Sequence, residues 1–356
     1  MAEAEVFTLN RTDLRDGAVQ TAPVPRAGPG EAVLRVSRFA LTANNVTYAV
    51  FGEAMRYWDF FPAEPGRGIA PVWGYADVVE SRVEGLGVGE RVFGYLPFGS
   101  HLVVRPGAIS AGSFSDTSAH RGGLSPFYNS YTRTQGEPGY DPGAEDLVCL
   151  LRPLFMTGFL LDDWLGENGL FGADRVIASS ASSKTALAMA HGLKRRGVTT
   201  LGLTSARNRA FVERTGLYGA VRTYEEIAAA QVAPAVYVDF AGDASVTGAV
   251  HARFGEALRF SSMVGGAHWD ASRSGPPSIG PQPQLFFAPD VMGARMKQWG
   301  PAGFYQRYGA AWAGFCAAVP AFMTVDRVKG LAAAQALWTR LLDGEAAPDK
   351  GLIVEV

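Results

Sequence analysis

Cysteine is scarce in this chain: only Cys149 and Cys316 occur in 356 residues. Both sit inside apolar strings, LVCLL and AGFCAAV, so they read as small buried hydrophobes and exclude a disulfide framework. A basic excess is also missing, since 32 Lys and Arg face 34 Asp and Glu, and this argues against a nucleic-acid partner. No apolar run reaches the roughly 18 residues that a bilayer span needs. The opening MAEAEVFTLNRTDLRD lacks the basic and then apolar regions of a secretory signal. The expectation is a soluble cytoplasmic protein with no membrane partner. Histidine is sparse too: His101, His120, His191, His251 and His268 show no ligand-like spacing, and with two distant cysteines they assemble no zinc set, so no metal is expected. The G-x-S-x-G elbow of serine hydrolases is absent.

What is present is a sizeable core, with 47% hydrophobic against 19% charged residues, and a change of texture along the chain. Residues 31–40, 72–81 and 101–106 alternate apolar and polar positions as half-buried strands do. GLGVGE (85–90) turns into the short strand 91–95. A Gly/Pro/Tyr-rich passage, 106–145, reads as a long loop or lid containing Tyr128 and Tyr131, and 147–169 reads as a buried helix pair interrupted by Pro153. From 175 on, strands (175–180, 199–205, 235–242, 257–266) alternate with helices (182–197, 207–216, 244–257). This alternation implies parallel βαβ units in a doubly wound sheet, with ligands at the carboxyl ends of its strands. QLFFAPD (284–290) reads as one more strand and GLIVEV as the last.

The strings EAVLRVSRFALTANNVTY, VWGYADVVES, GLGVGERVFGY, VIASSASSKTALAMAHGLK and DKGLIVEV resemble the medium-chain dehydrogenase/reductase superfamily, in its zinc-independent quinone-oxidoreductase-like branch. ASSASSKTA looks like a subgroup known mainly as a domain of unknown function. The resemblance implies an α/β chain in three segments: a GroES-like substrate domain over 1–146, a Rossmann cofactor domain over 147–290, and a return over 291–356 that completes the first domain. It also implies an active site in the cleft between domains, and assembly as a homodimer, for which the apolar edge strand QLFFAPD is the expected contact.

The chain departs from that family at the phosphate loop. Relatives carry several glycines where this sequence reads Ser179-Ser180-Ala181-Ser182-Ser183-Lys184-Thr185. Small side chains still let a pyrophosphate approach, and Ser180, Ser182, Ser183, Lys184 and Thr185 at a helix N-terminus add anion-binding groups; the plain alternative is a serine cap on a helix that binds nothing. A P-loop needs glycines before the lysine and is excluded. At the end of the second strand, where an acid would bind ribose hydroxyls, stand Ser205, Arg207 and Arg209. A hydroxyl with guanidinium groups suits a 2′-phosphate, so NADPH is expected over NADH. A solvated basic helix start is the alternative.

On the substrate side the resemblance brings forward Asn45 (or Asn44), Thr47 and Tyr48 in ANNVTY, and Thr157 in LFMTGF near the nicotinamide. Asn45, Tyr48, Thr157 and His268, the last at the carboxyl edge of the sheet, are the catalytic candidates. Phe51, Tyr57, Trp58, Phe60 and Trp299 are expected to line or flank a substrate pocket. The implied activity is metal-free, NADPH-dependent reduction of an activated small molecule: an enone, enoyl thioester or quinone. The competing readings are a non-redox lyase or isomerase on the same scaffold, and a binding protein with a vestigial cofactor site.

Overall fold

The computed structural model describes residues 3–264 and 279–356. The chain divides into two units, Met1–Leu150 with Val325–Val356, and Leu151–Thr324.

In the first unit, β1 (Glu3–Asn10), β2 (Gly17–Pro23) and β4 (Arg67–Gly68) pair in the order β2-β1-β4. A larger sheet takes β3 (Ala32–Leu41), β5 (Pro71–Ser81), β6 (Arg91–Pro97), β7 (His101–Val104), β8 (Pro106–Gly107), β9 (Ser113–Asp116), β10 (Ser130–Arg133), β17 (Thr324–Lys329) and β18 (Lys350–Glu355). Its order is β17-β18-β3-β5-β6-β10-β9-β8, with β7 also on β3. Apolar and polar residues alternate because one face of such a sheet meets the core. The core is aromatic: Phe7 packs on Phe98 at 4.7 Å between ring centroids, and both meet Trp338 of α7 (Leu331–Leu342) at 6.3 Å. The closing strand β18 returns antiparallel onto β3, Ile353 opposite Ala40.

The passage 106–145 is not a loop. It supplies β8, β9 and β10, with Phe114 and Tyr131 stacked at 5.1 Å and buried, and a buried ion pair between Arg121 and Asp116 at 3.0 Å. Gly94 of β6 permits this packing, since a Cβ there would lie 2.4 Å from the Tyr131 ring.

The second unit holds a six-stranded parallel sheet of β11 (Arg175–Ala178), β12 (Thr199–Thr204), β13 (Ala220–Thr223), β14 (Ala235–Asp239), β15 (Leu258–Met263) and β16 (Gln284–Leu285). The order β13-β12-β11-β14-β15-β16 reverses direction at β11, the switch point where doubly wound sheets bind dinucleotides. Every residue of β14 is buried, as a strand covered on both faces requires. The helices are α3 (Lys184–Arg195), α4 (Arg209–Thr215), α5 (Ala244–Phe254) and α6 (Ala288–Ala318), with α1 (Ala43–Val50) in the first unit and α2 (Glu145–Glu167) spanning the division at Leu150.

Three sequence expectations change here. Instead of a helix pair, Glu145–Glu167 form one helix, with Pro153 inside it. The expected strand over 284–290 shrinks to Gln284–Leu285, because Pro289 in its first turn starts α6 at Ala288. Residues 291–324, placed by sequence in the return segment, stay with the second unit: Phe304, Tyr308 and Phe315 of α6 pack on Phe155 and Phe159 of α2, and the return begins at Val325. At Gly158, α2 crosses α3 so closely that a Cβ would lie 2.6 Å from Ala188 and 2.9 Å from the Thr185 carbonyl.

Candidate functional site

The turn from β11 into α3 is built by hydroxyls. Ser179, fully buried, donates to Asp239 Oδ1 at 2.6 Å and accepts the amides of Phe240 and Ala241 at 2.8 and 3.0 Å, joining the ends of β11 and β14. Ser180 has φ 43°, the left-handed conformation that a glycine would adopt without strain. Its N–H donates to the Tyr224 hydroxyl at 3.1 Å, and the Tyr218 hydroxyl donates to the Ala181 carbonyl at 3.0 Å. Burial pushes both phenols well above their usual range, so they stay protonated. Ser182 Oγ accepts from Asn208 Nδ2 at 3.1 Å, and Ser183 is the N-cap of α3, accepting the Ala186 amide at 3.3 Å. Lys184 and Thr185 open the helix, where first-turn amides lack intrahelical acceptors and the dipole favours an anion. A phosphate therefore fits the chemistry of this turn. Ser180, Ser182, Ser183, Lys184 and Thr185 lie together here, while Thr157 stands beside Gly158, which touches the Thr185 carbonyl.

At the carboxyl end of β12, Ser205 precedes the short 3-10 turn Ala206–Asn208, which contains Arg207, and Arg209 opens α4. Arg209 does not stand ready for a phosphate. Its guanidinium is bound by Glu213 at 2.8 Å and Glu226 at 2.9 Å, and those carboxylates hold its charge more firmly. The i,i+4 spacing to Glu213 is the helix-surface pairing that sequence reading passed over.

On the substrate side, Asn45 has a structural role. Its Oδ1 accepts the Thr42 amide at 2.7 Å, closing a capping box at the start of α1, and its Nδ2 donates to the Pro71 carbonyl at 2.8 Å. Both ends of the amide are thus engaged. Tyr48 accepts from the Trp73 indole at 3.0 Å and packs against Tyr57 and Tyr95 at 4.8 and 5.4 Å. Burial, and then the nearby Tyr57 phenol, push the Tyr48 hydroxyl well above its usual range, against the opposing hydrogen bond from Trp73. Tyr128 approaches the Tyr57 hydroxyl at 3.4 Å and the Tyr95 ring at 4.6 Å. Among the expected pocket residues, Trp58 and Phe60 are core, with Gly52 and Gly68 leaving room for the indole, and the Trp299 ring meets the guanidiniums of Arg295 and Arg307 at 5.3 and 4.7 Å. His268 lies outside the described residues.

Sequence reasoning missed Ser179, Asp239, Tyr218, Tyr224 and Tyr95. Only Asp239 carried a signal, as the one acid ending an apolar strand at the carboxyl edge. Among the described residues, no group of three or more His, Cys, Asp or Glu is placed to hold a metal.

The family model described as a protein of unknown function, DUF2855, matches residues 39–347. The chain belongs to the DUF2855 family. No curated protein matches the sequence. Among solved structures, CurA from Vibrio vulnificus in complex with NADPH is similar over 100% of this chain and 99% of its own, at 15% identity and a TM-score of 0.64. The quinone oxidoreductase from Coxiella burnetii is similar over 100% of both chains, at 13% identity and a TM-score of 0.57. The yhdH oxidoreductase from Salmonella enterica in complex with NADP is similar over 99% of both, at 14% identity and a TM-score of 0.56. The DUF2855 chain thus has the medium-chain dehydrogenase/reductase fold, a GroES-like unit with a Rossmann unit. Among the described residues, no helix is long and apolar enough to cross a membrane.

Proposed function

We propose that the chain is an NADPH-dependent reductase of an activated small molecule, acting without metal on an enone, enoyl thioester or quinone. The observation that carries this reading is the turn at the switch point. Ser180 adopts the left-handed backbone that a phosphate loop needs, ahead of a capped helix N-terminus. The whole-length likeness to structures holding NADPH and NADP supports it. In this reading Ser182, Ser183, Lys184 and Thr185 bind the pyrophosphate, and Ser205 with Arg207 binds the 2′-phosphate, Arg209 contributing less because two carboxylates share it. NADPH, when bound, supplies the hydride. Tyr48 keeps its proton through burial and donates a hydrogen bond to the acceptor oxygen, and Thr157 orients the nicotinamide. Calorimetric titration with NADPH and NADH tests the reading: tighter NADPH binding is expected, and no binding of either overturns it.

Homodimer formation belongs to the same proposal, supported by β16, an edge strand whose Leu285 is 66% exposed. So does a reducing cytoplasmic setting, supported by two free cysteines. One observation favours a second reading. Tyr224 already takes the Ser180 N–H, a donor that a phosphate loop would offer its ligand, so the turn can also be a closed scaffold in a non-redox enzyme or a binding protein. Light scattering at a monomer mass would remove the dimer.

A further inference from the structure

The turns that follow β11 and β12 are joined by one side-chain hydrogen bond. Asn208 Nδ2 donates to Ser182 Oγ at 3.1 Å, across 26 residues of sequence. Asn208 closes the 3-10 turn Ala206–Asn208, which carries Arg207, and its own N–H bonds back to the Ser205 carbonyl at 3.0 Å. The bond is not needed to hold the strands together, since β11 and β12 pair from Arg175 to Ala178 and the Ala181 N–H reaches the Leu203 carbonyl at 3.0 Å. Ser182, Ser183 and Asn208 are each half-buried, so solvent, and a ligand, can reach them.

We propose that Asn208 is a positioning residue of the phosphate turn, which sets the Ser182 hydroxyl as a donor to the pyrophosphate of a dinucleotide. A carboxamide NH2 only donates, whereas a hydroxyl has one hydrogen and two lone pairs. With the amide on its oxygen, Ser182 cannot send its hydrogen back to Asn208 Nδ2, and a hydroxyl that accepts is polarised into a better donor. Ser183 is in the same state, its oxygen taken by the Ala186 amide at 3.3 Å. Hydroxyl donors are what this turn needs. A glycine turn lets backbone N–H groups approach the phosphates, but here the Ser180 N–H is held by Tyr224 at 3.1 Å, so a side-chain O–H takes over the work of a backbone donor. Because Asn208 stands on the turn of Ser205 and Arg207, one amide also fixes the spacing between the pyrophosphate and 2′-phosphate groups of the proposed site.

This role rests on the nucleotide reading above. The full chain and its variants are titrated calorimetrically with NADPH and with NADH, and unfolded in urea. Ser182→Ala should weaken both nucleotides about tenfold or more, the scale of a hydrogen bond to a charged group, and Asn208→Ala should weaken both about three- to tenfold. The two nucleotides share the pyrophosphate, so their ratio should hold, whereas loss of Arg207 falls on NADPH. The double variant should bind no worse than Ser182→Ala alone, because the amide acts through that hydroxyl. Asn208→Asp, whose carboxylate accepts the Ser182 hydrogen and repels a phosphate, should bind more weakly than Asn208→Ala. The urea midpoint of Asn208→Ala should stay that of the parent. Additive losses in the double variant, a loss confined to NADPH, or Asn208→Asp binding as tightly as the parent would overturn the proposal. A parent chain that binds neither nucleotide defeats the nucleotide reading and this role with it; a parent that binds while Asn208→Ala binds equally well defeats this role alone.

Discussion

Ser179 and Asp239 are joined by a 2.6 Å hydrogen bond across the neighbouring strands β11 and β14. Asp239 Oδ1 also accepts Tyr237, Ala241 and Gly242, and its Oδ2 accepts Thr247. The carboxylate is thus fixed by the strand ends and cannot move to a ligand. Ser179→Ala removes one donor to Asp239 and the side-chain acceptor of the buried Phe240 amide, while the Ala241 amide keeps Asp239 Oδ1. We expect a loss of about 2–4 kcal/mol, the cost of orphaning such groups, measured by urea denaturation. A change below about 0.5 kcal/mol, the ordinary surface scale, would show that the clamp is redundant.

Ser180 departs from the glycine pattern at a position whose backbone still has the glycine conformation. Ser180→Gly should stabilise the folded chain by about 0.5–1 kcal/mol, because relief of left-handed strain outweighs the added freedom of the unfolded chain. Thermal denaturation decides this, and a lower Tm would mean that the serine side chain has a compensating role.

Lys184→Ala should weaken NADPH binding about ten- to a hundredfold, the scale of a charge-assisted hydrogen bond, with folding almost unchanged. Arg207→Ala should cut the preference for NADPH over NADH by about tenfold or more, and Arg209→Ala by less than about threefold, since a shared guanidinium gives up little on removal. Equal effects of the two arginine variants would contradict the pairing seen for Arg209.

Asp162 supplies a pH test. Its carboxyl is pushed up to about 6 by burial, against the opposing Arg196. A carboxyl raised in the folded state contributes stability below its unfolded pKa of about 4 and loses it as pH rises through the folded value. Asp162→Asn should therefore gain on the parent between pH 4 and 6 and hold a lead of about 1–3 kcal/mol at pH 8. Paired denaturation curves at pH 4 and pH 8 check this; a lead that shrinks as pH rises would reverse the sign.

Strands β3, β5, β11, β12 and β14 were legible because their apolar residues repeat with the strand period or run unbroken in short stretches bounded by turns. Residues 106–145 were not, since Gly, Pro and Ser dilute the alternation there and the pairing of Thr132 with Phe93 reaches back across the sequence. In the site, the serine turn and its helix were visible as a local pattern. The tyrosines that brace it were not: Tyr218 and Tyr224 stand 37 and 44 residues from the backbone groups they hold, and no spacing rule reports such a contact. The capping role of Asn45 was hidden for the opposite reason, because capping and substrate binding call for the same residue at the start of a helix.

The crossing at Gly158 makes a remote glycine a hidden gauge of the phosphate turn. A methyl group there has nowhere to go except against Ala188 or the Thr185 carbonyl, and α3 transmits the push to the serines at its start. In a random mutagenesis screen scored on nucleotide binding, position 158 would register beside Lys184 while touching no nucleotide.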